Sequence, residues 1–172
     1  MVATDTATAR QILGETPFFA EVLDAARLDA LAANLRVAAF PKGAALIEED
    51  ENGSSMFVMA GGEAAVTVPR SARRTPVATL KAGDIFGEMS LLTGARRAAT
   101  VTATSAVTAV EIPKSALSPL IAASPQLADR FAAMLRKRQA ELDRIYQGDG
   151  RWRLPGNFEL AGLIRGYFGG TV

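Results

Sequence analysis

The sequence predicts a mainly β fold of the α+β class, a β jelly-roll barrel with helices before and after it in the chain. Short segments of alternating apolar and polar residues recur at even spacing between residues 36 and 112, and glycine-rich turns separate them. Both ends of the chain instead show apolar residues at helical spacing. With 172 residues, 49% of them hydrophobic and 22% charged, the chain is long enough for one domain with a substantial core.

The strand-like segments fall between glycine turns at Gly43, Asn52-Gly53, Gly61-Gly62 and Gly83. The predicted strands are Arg36–Phe40, Ala45–Ile47, Met56–Ala60, Glu63–Val68, Val77–Leu80, Ala99–Ala103 and Val107–Ile112. The basic run Arg70–Thr75 lies between two of them. We predict a solvated loop there, since a cluster of arginines at a hairpin tip needs no partner.

Helical spacing predicts helices at Ala7–Leu13 and Val22–Asn34, with a break at Thr16–Phe19, and later at Ser115–Ala123 and Pro125–Tyr146. Ser124 and Pro125 are typical of a helix start. A further short helix near Asn157 is weakened by several glycines. We therefore expect a helical segment at 1–34, a β-barrel with its C-terminal helices at 35–146, and a tail at 147–172.

The composition excludes several classes of function. The chain has no cysteine and no histidine, so it lacks thiol nucleophiles and the imidazole ligands on which metal-dependent barrel enzymes depend. We expect no enzyme and no metal. A net charge of +1 does not favour nucleic acid, the segment after the long helix is too short for a helix-turn-helix unit, and no transmembrane segment is expected. These features predict a cytoplasmic protein that does not bind DNA.

Residues 83–104, GDIFGEMSLLTGARRAATVTAT, carry the chemistry. Gly87 follows the apolar residues Ile85 and Phe86 and interrupts the apolar run. Glu88–Thr93 has the composition of a short helix that ends at Gly94. The first amides of that helix, from Glu88, Met89 and Ser90, are expected to donate to an anion. Arg97, at the start of the next predicted strand, offers a guanidinium whose geometry matches two phosphate oxygens.

Glu88 is unexpected in an anion site, because an ionised carboxylate only accepts hydrogen bonds. A ribose hydroxyl is a donor that it can bind. One acceptor for a sugar, one guanidinium for phosphate and no metal ligands together indicate a nucleoside monophosphate whose phosphate is bound directly.

The run FGEMSLLTGARRAAT resembles the phosphate-binding segment of cyclic nucleotide-binding domains, as found in regulatory subunits of cyclic AMP-dependent kinase, cyclic nucleotide-gated channels and catabolite-activator regulators. FPKGAALIEEDENGSSMFVMAGGEAAV resembles their early strands, although Asp50 stands where many members have glycine. The resemblance implies that Glu88 and the Gly87 region hold the ribose 2′-hydroxyl and that Arg97 holds the cyclic phosphate. Ala98 stands where Thr or Ser often accompanies cyclic GMP preference, which implies cyclic AMP.

The expected ligand-binding residues are Phe86, Gly87, Glu88, Met89, Ser90, Arg97, Ala98, Ala99 and Arg138. Arg138 interrupts the apolar face of the long helix. Either it closes over the pocket and meets the purine, or its stem packs on apolar surface while its head reaches solvent. The resemblance implies a regulatory module that signals by helix movement. A fragment of a larger effector such as a channel, a ligand-free scaffold, and a protein partner or homodimer stay open.

Overall fold

The computed structural model describes residues 2–4, 6–33, 35–70 and 73–146. The chain divides into two compact units, of which the first ends at Leu117 and the second begins at Ser118. The predicted tail and its short helix near Asn157 lie outside the described residues.

The described strands are β1 (Val2–Thr4), β2 (Arg36–Phe40), β3 (Ala45–Ile47), β4 (Ser55–Gly61), β5 (Ala64–Arg70), β6 (Arg73–Leu80), β7 (Ile85–Phe86), β8 (Thr100–Ala103) and β9 (Val107–Pro113). The described helices are α1 (Thr6–Gly14), α2 (Pro17–Ala20), α3 (Ala25–Ala32), α4 (Glu88–Thr93), α5 (Lys114–Ala123) and α6 (Pro125–Tyr146). The predicted bounds of β2, β3, α4 and α6 are confirmed.

The strands form two antiparallel sheets, one with the order β1-β2-β9-β4-β7 and the other with the order β3-β8-β5-β6. The mainly β fold with flanking helices is therefore confirmed. The short strand β7 pairs with β4, so that Phe86 lies opposite Phe57. This pairing fixes where the chain leaves the sheet to enter α4.

The core of the first unit joins apolar side chains of both sheets. Phe57 and Met59 come from the larger sheet, whereas Val101 and Ala103 come from the smaller one. The rings of Phe57 and Phe86 stack with their centroids 5.1 Å apart and an interplanar angle of 8°. Full burial of each such side chain contributes roughly 1.5–3 kcal/mol, so the core holds β7 firmly against β4.

The N-terminal helices differ from the prediction. Residues Pro17–Ala20 form the helical turn α2 instead of a break, because proline suits the first position of a helix. The predicted helix Val22–Asn34 is shorter, since Asp24 caps α3 by accepting a 2.8 Å hydrogen bond from the Arg27 amide. Asn34 itself lies outside the described residues. Helix α1 packs against α3, and the ring of Phe19 is fully buried.

Strands also occupy two stretches where the sequence predicted none. The predicted loop Arg70–Thr75 is largely strand, because β5 continues to Arg70 and β6 begins at Arg73. Pro76 is tolerated within β6 because this strand lies at the edge of its sheet. Strand β1, within the segment predicted to be helical, pairs with β2. Three residues are too few to show a periodicity.

Helix α6 carries the predicted apolar face. Leu127, Phe131 and Leu135 are spaced by four residues and are buried. Arg138 is half-buried one turn after Met134. The side chains of Leu142 and Ile145, which the prediction placed on the same face, lie outside the description.

Candidate functional site

The site begins at a glycine turn between β7 and α4. Gly87 has a φ of 81°, a left-handed conformation that glycine adopts without the clash of a Cβ atom. Helix α4 ends at Gly94, also left-handed with a φ of 75°, whose amide donates a 2.9 Å hydrogen bond to the Ser90 carbonyl. The two glycines therefore fix both ends of the predicted helix.

Arg97 is positioned by a loop and not by a strand. Strand β8 begins only at Thr100, so the prediction that Arg97 opens a strand is wrong. Its amide donates to the Glu51 carbonyl at 2.8 Å, and its carbonyl accepts from the Asp50 amide at 2.8 Å. The main chain of Arg97 is thus paired with the loop between β3 and β4.

The guanidinium of Arg97 donates hydrogen bonds to two carbonyl oxygens. One bond, 2.7 Å long, goes to Gly87 at the turn, and the other, 2.8 Å long, goes to Ser55 at the start of β4. Only 7% of Arg97 is exposed. These contacts hold the head of the side chain beside the start of α4, where the sequence predicted it.

Asp50 shows how the loop reaches Arg97. It has a φ of 69°, a left-handed conformation that is uncommon for residues other than glycine. Asp tolerates this conformation better than most residues, as the sequence indicated. The carbonyl of Asp50 also accepts a 3.1 Å hydrogen bond from Arg96, whose side chain is exposed as predicted.

Charges of both signs are buried in this part of the first unit. Glu88, the first residue of α4, is 2% exposed, and a carboxylate is favourable at a helix N-terminus. Burial lowers the pKa of the Arg97 guanidinium from its ordinary value, whereas the charges of Glu51, Glu88 and Glu111 oppose that shift. Arginine stays protonated in proteins in any case, so the site keeps a positive charge.

The other predicted site residues are distributed as follows. Ser90 is buried, and Met89, Ala98 and Ala99 are half-buried. The ring of Phe86 belongs to the core, where it stacks on Phe57. Arg138 lies in the second unit. The predicted contacts of all these residues with a ligand stay predictions.

Sequence reasoning missed three residues around Arg97, namely Glu51 and Gly53 in the loop between β3 and β4, and Ser55 at the start of β4. Gly53 was interpreted only as a turn residue, although it lies directly against the guanidinium. In the described part of the chain, no three acidic, histidine or cysteine residues are grouped so as to hold a metal ion. No described helix is long and apolar enough to cross a membrane.

A profile of the cyclic nucleotide-binding domain matches residues 37–124, more than half of the chain. This stretch runs from the second residue of β2 to the residue after α5, and it includes α4 and the Arg97 loop. The chain belongs to the cyclic nucleotide-binding domain family. Domains of this family are regulatory, and the residues of the site described above lie within the matched stretch.

Two relatives are protein kinase components. A cAMP-dependent protein kinase regulatory subunit of Mycosarcoma maydis is 36% identical over 96 residues, which are 56% of this chain and 18% of that protein. A cGMP-dependent protein kinase of Eimeria tenella is 31% identical over 112 residues, 65% of this chain and 11% of that protein. The chain therefore spans less than a fifth of the length of either relative.

A solved structure agrees with the fold. A cyclic nucleotide-binding domain from Methylobacillus flagellatus KT superposes with a TM-score of 0.67, at 20% identity, over 91% of this chain and 90% of that one. At this identity the likeness concerns the fold alone.

Proposed function

We propose that this chain is a regulatory module that binds cyclic AMP in preference to cyclic GMP at Glu88 and Arg97. The observation that carries the proposal is the position of the Arg97 guanidinium, held beside the start of α4 by the carbonyls of Gly87 and Ser55. Membership of the cyclic nucleotide-binding domain family supports it.

Arg97 is proposed to bind the cyclic phosphate. A guanidinium has five N–H donors in a fixed plane, and two of them donate to the carbonyls of Gly87 and Ser55. These bonds fix the plane before a ligand arrives, so little side-chain entropy is lost on binding. Because Arg97 is only 7% exposed, a phosphate beside it would form charge-assisted hydrogen bonds worth roughly 1.5–3 kcal/mol each.

Glu88 is proposed to accept a hydrogen bond from the ribose 2′-hydroxyl. Its carboxylate is almost fully buried at the first position of α4, one residue after the Gly87 turn. The carboxylate lies at the positive end of the α4 dipole and interacts favourably with the charge of Arg97. Phosphate and sugar would then be bound by two residues at the N-terminal end of one short helix.

The preference for cyclic AMP rests on Ala98. This residue is half-buried and directly follows Arg97, but its methyl group cannot accept a hydrogen bond from the 2-amino group of guanine. In related domains a hydroxyl residue at this position often accompanies cyclic GMP preference. One of the two relatives is named as cAMP-dependent and the other as cGMP-dependent, so the preference of this chain has to be measured.

The ligand would act as a signal by changing the equilibrium between helix positions. It can do so only by the difference between its affinities for the two states. Helix α6, with 22 residues, is the element proposed to respond. Amide hydrogen exchange along α6 should change when the nucleotide is added. Unchanged exchange would argue against helix movement as the response.

Calorimetric titration with cyclic AMP, cyclic GMP and 5′-AMP tests the proposal. We expect cyclic AMP to bind at least tenfold more tightly than cyclic GMP, a difference of about 1.4 kcal/mol, and 5′-AMP to bind more weakly than either. Equal affinities for the two cyclic nucleotides would remove the role of Ala98. No binding of any of the three would overturn the sensor function and favour a ligand-free scaffold.

A further inference from the structure

Gly53, in the loop between β3 and β4, lies against two parts of the site. A Cβ atom placed there would be 2.5 Å from Cζ of Arg97 and 2.6 Å from its Nε. It would also be 2.7 Å from Cβ of Ser90 in α4. Non-bonded carbon atoms pack at about 3.5–4.0 Å, so the space between the loop, Arg97 and α4 has no room for a side chain.

The requirement for glycine at this position is spatial and not conformational. Among the described glycines, those with a left-handed φ are Gly43, Gly62, Gly83, Gly87 and Gly94, and Gly53 is not one of them. Alanine can therefore adopt its backbone conformation. Any effect of an added methyl group at Gly53 has to come from what that group touches.

We propose that Gly53 is a positioning residue for Arg97 and that its missing side chain sets the place of the phosphate-binding guanidinium. This inference rests on the proposed function and extends it to the loop before β4. The arginine side chain is flexible, so an added methyl group displaces the guanidinium, and the overlap with Cβ of Ser90 also forces the loop and α4 apart. The displacement needed to restore ordinary contact is about 1 Å, enough to spoil a binding geometry.

The displaced guanidinium would also leave its present partners. Its hydrogen bonds to Gly87 and Ser55 are 2.7 and 2.8 Å long, so a movement of about 1 Å breaks or weakens both. Gly53 thus connects the shape of the loop to the orientation of Arg97. Gly87, whose own Cβ would lie 2.8 Å from Nη1 of Arg97, is less informative because its φ of 81° would strain any substitution.

The substitution Gly53→Ala tests the inference, with Gly61→Ala as the matched control. Gly61 lies in β4, has no left-handed φ, and has nothing within 4 Å of an added Cβ. We expect Gly53→Ala to weaken cyclic AMP binding at least tenfold in calorimetry and Gly61→Ala to change it less than twofold. Wild-type affinity in Gly53→Ala would overturn the inference.

A double-mutant cycle with Arg97→Ala separates positioning from a general structural effect. If Gly53 acts through Arg97, Gly53→Ala should weaken binding less than threefold once the guanidinium is absent. Equal losses in both backgrounds would overturn the inference. The same cycle is measured by melting temperature. The decrease in melting temperature caused by Gly53→Ala should be at most half as large in the Arg97→Ala background as in the wild type.

The melting cycle needs no ligand and therefore distinguishes the two proposals. If wild-type protein binds none of the nucleotides, the proposed function fails, whereas the contact between Gly53 and Arg97 is still measured by the melting temperatures. If the nucleotide binds and the two substitutions are additive in both readouts, only the positioning role fails.

Discussion

The guanidinium of Arg97 donates a 2.7 Å hydrogen bond to the carbonyl of Gly87, the residue whose left-handed backbone leads from β7 into α4. A second bond joins the same guanidinium to Ser55, 42 residues earlier in the chain. One buried side chain therefore connects the start of the short helix to the start of β4. Its removal should affect both ligand binding and stability.

Arg97→Ala should weaken cyclic AMP binding at least tenfold, because the phosphate loses its charged partner. It should also lower the free energy of unfolding by about 1.5–3 kcal/mol, since two carbonyls lose a charged donor. Calorimetry and urea denaturation measure the two effects. Arg74→Ala, at an exposed arginine of β6, is the control and should change neither. Unchanged affinity in Arg97→Ala would mean that the phosphate is held elsewhere.

Asp50→Val should be markedly less stable than Asp50→Gly. The φ of 69° at this position costs a non-glycine residue about 1–2 kcal/mol, and the cost is greater for a β-branched side chain. Glycine relieves that cost but loses more backbone entropy on folding, so Asp50→Gly should lie within about 1 kcal/mol of wild type. Urea denaturation of the three proteins gives the order. A valine variant as stable as wild type would contradict the left-handed conformation.

Gly62→Ala and Gly83→Ala should differ, although both glycines have a left-handed φ, 84° and 93° respectively. A Cβ at Gly62 would overlap the backbone carbonyl of Ala106, whereas nothing lies within 4 Å of one at Gly83. Gly83→Ala should therefore cost only the conformational term, about 1–2 kcal/mol. Gly62→Ala should cost more, because the turn before β9 has to move. Equal losses in thermal denaturation would show that the overlap relaxes freely.

Phe57→Ala should lower the free energy of unfolding by about 3–5 kcal/mol, the usual cost of truncating a buried aromatic residue. Phe57 is 6% exposed and stacks on Phe86, directly before the Gly87 turn. The more conservative Phe57→Leu should cost less. If the core supports the site, both variants should weaken nucleotide binding in the same order as they lose stability. Calorimetry at a temperature where both are folded checks this.

Local sequence signals located α4 well, because Gly87 and Gly94 bound a run of helix-forming residues. Ser124 and Pro125 likewise located the start of α6. The same signals missed the first residues of β6, up to Pro76, because proline is more typical of loops than of strands and is tolerated here only at the sheet edge. Local patterns reflect contacts between neighbours along the chain, and the ends of α4 and the start of α6 depend mostly on such contacts.

The contacts of Arg97 were beyond such reasoning. Three of the four bonds that hold it join residues 42 to 47 positions apart, and nothing in the residue types of Glu51, Gly53 or Ser55 indicates these contacts. Glu51 and Ser55 contribute main-chain carbonyls, which every type of residue has. The sequence therefore predicted that Arg97 is the phosphate-binding candidate, but not what determines where its side chain lies.

The backbone pairing of Arg97 with Asp50 and Glu51 uses only main-chain atoms, so it survives every substitution at position 97 except proline, which lacks the amide hydrogen. A substitution at position 97 therefore removes the side-chain bonds to Gly87 and Ser55 but leaves the backbone pairing with the loop in place. If Arg97 binds the phosphate, a single substitution there would yield a protein that no longer binds the nucleotide but keeps the same exposed side chains. In a cell, such a variant would compete with the original for any partner while ignoring the signal.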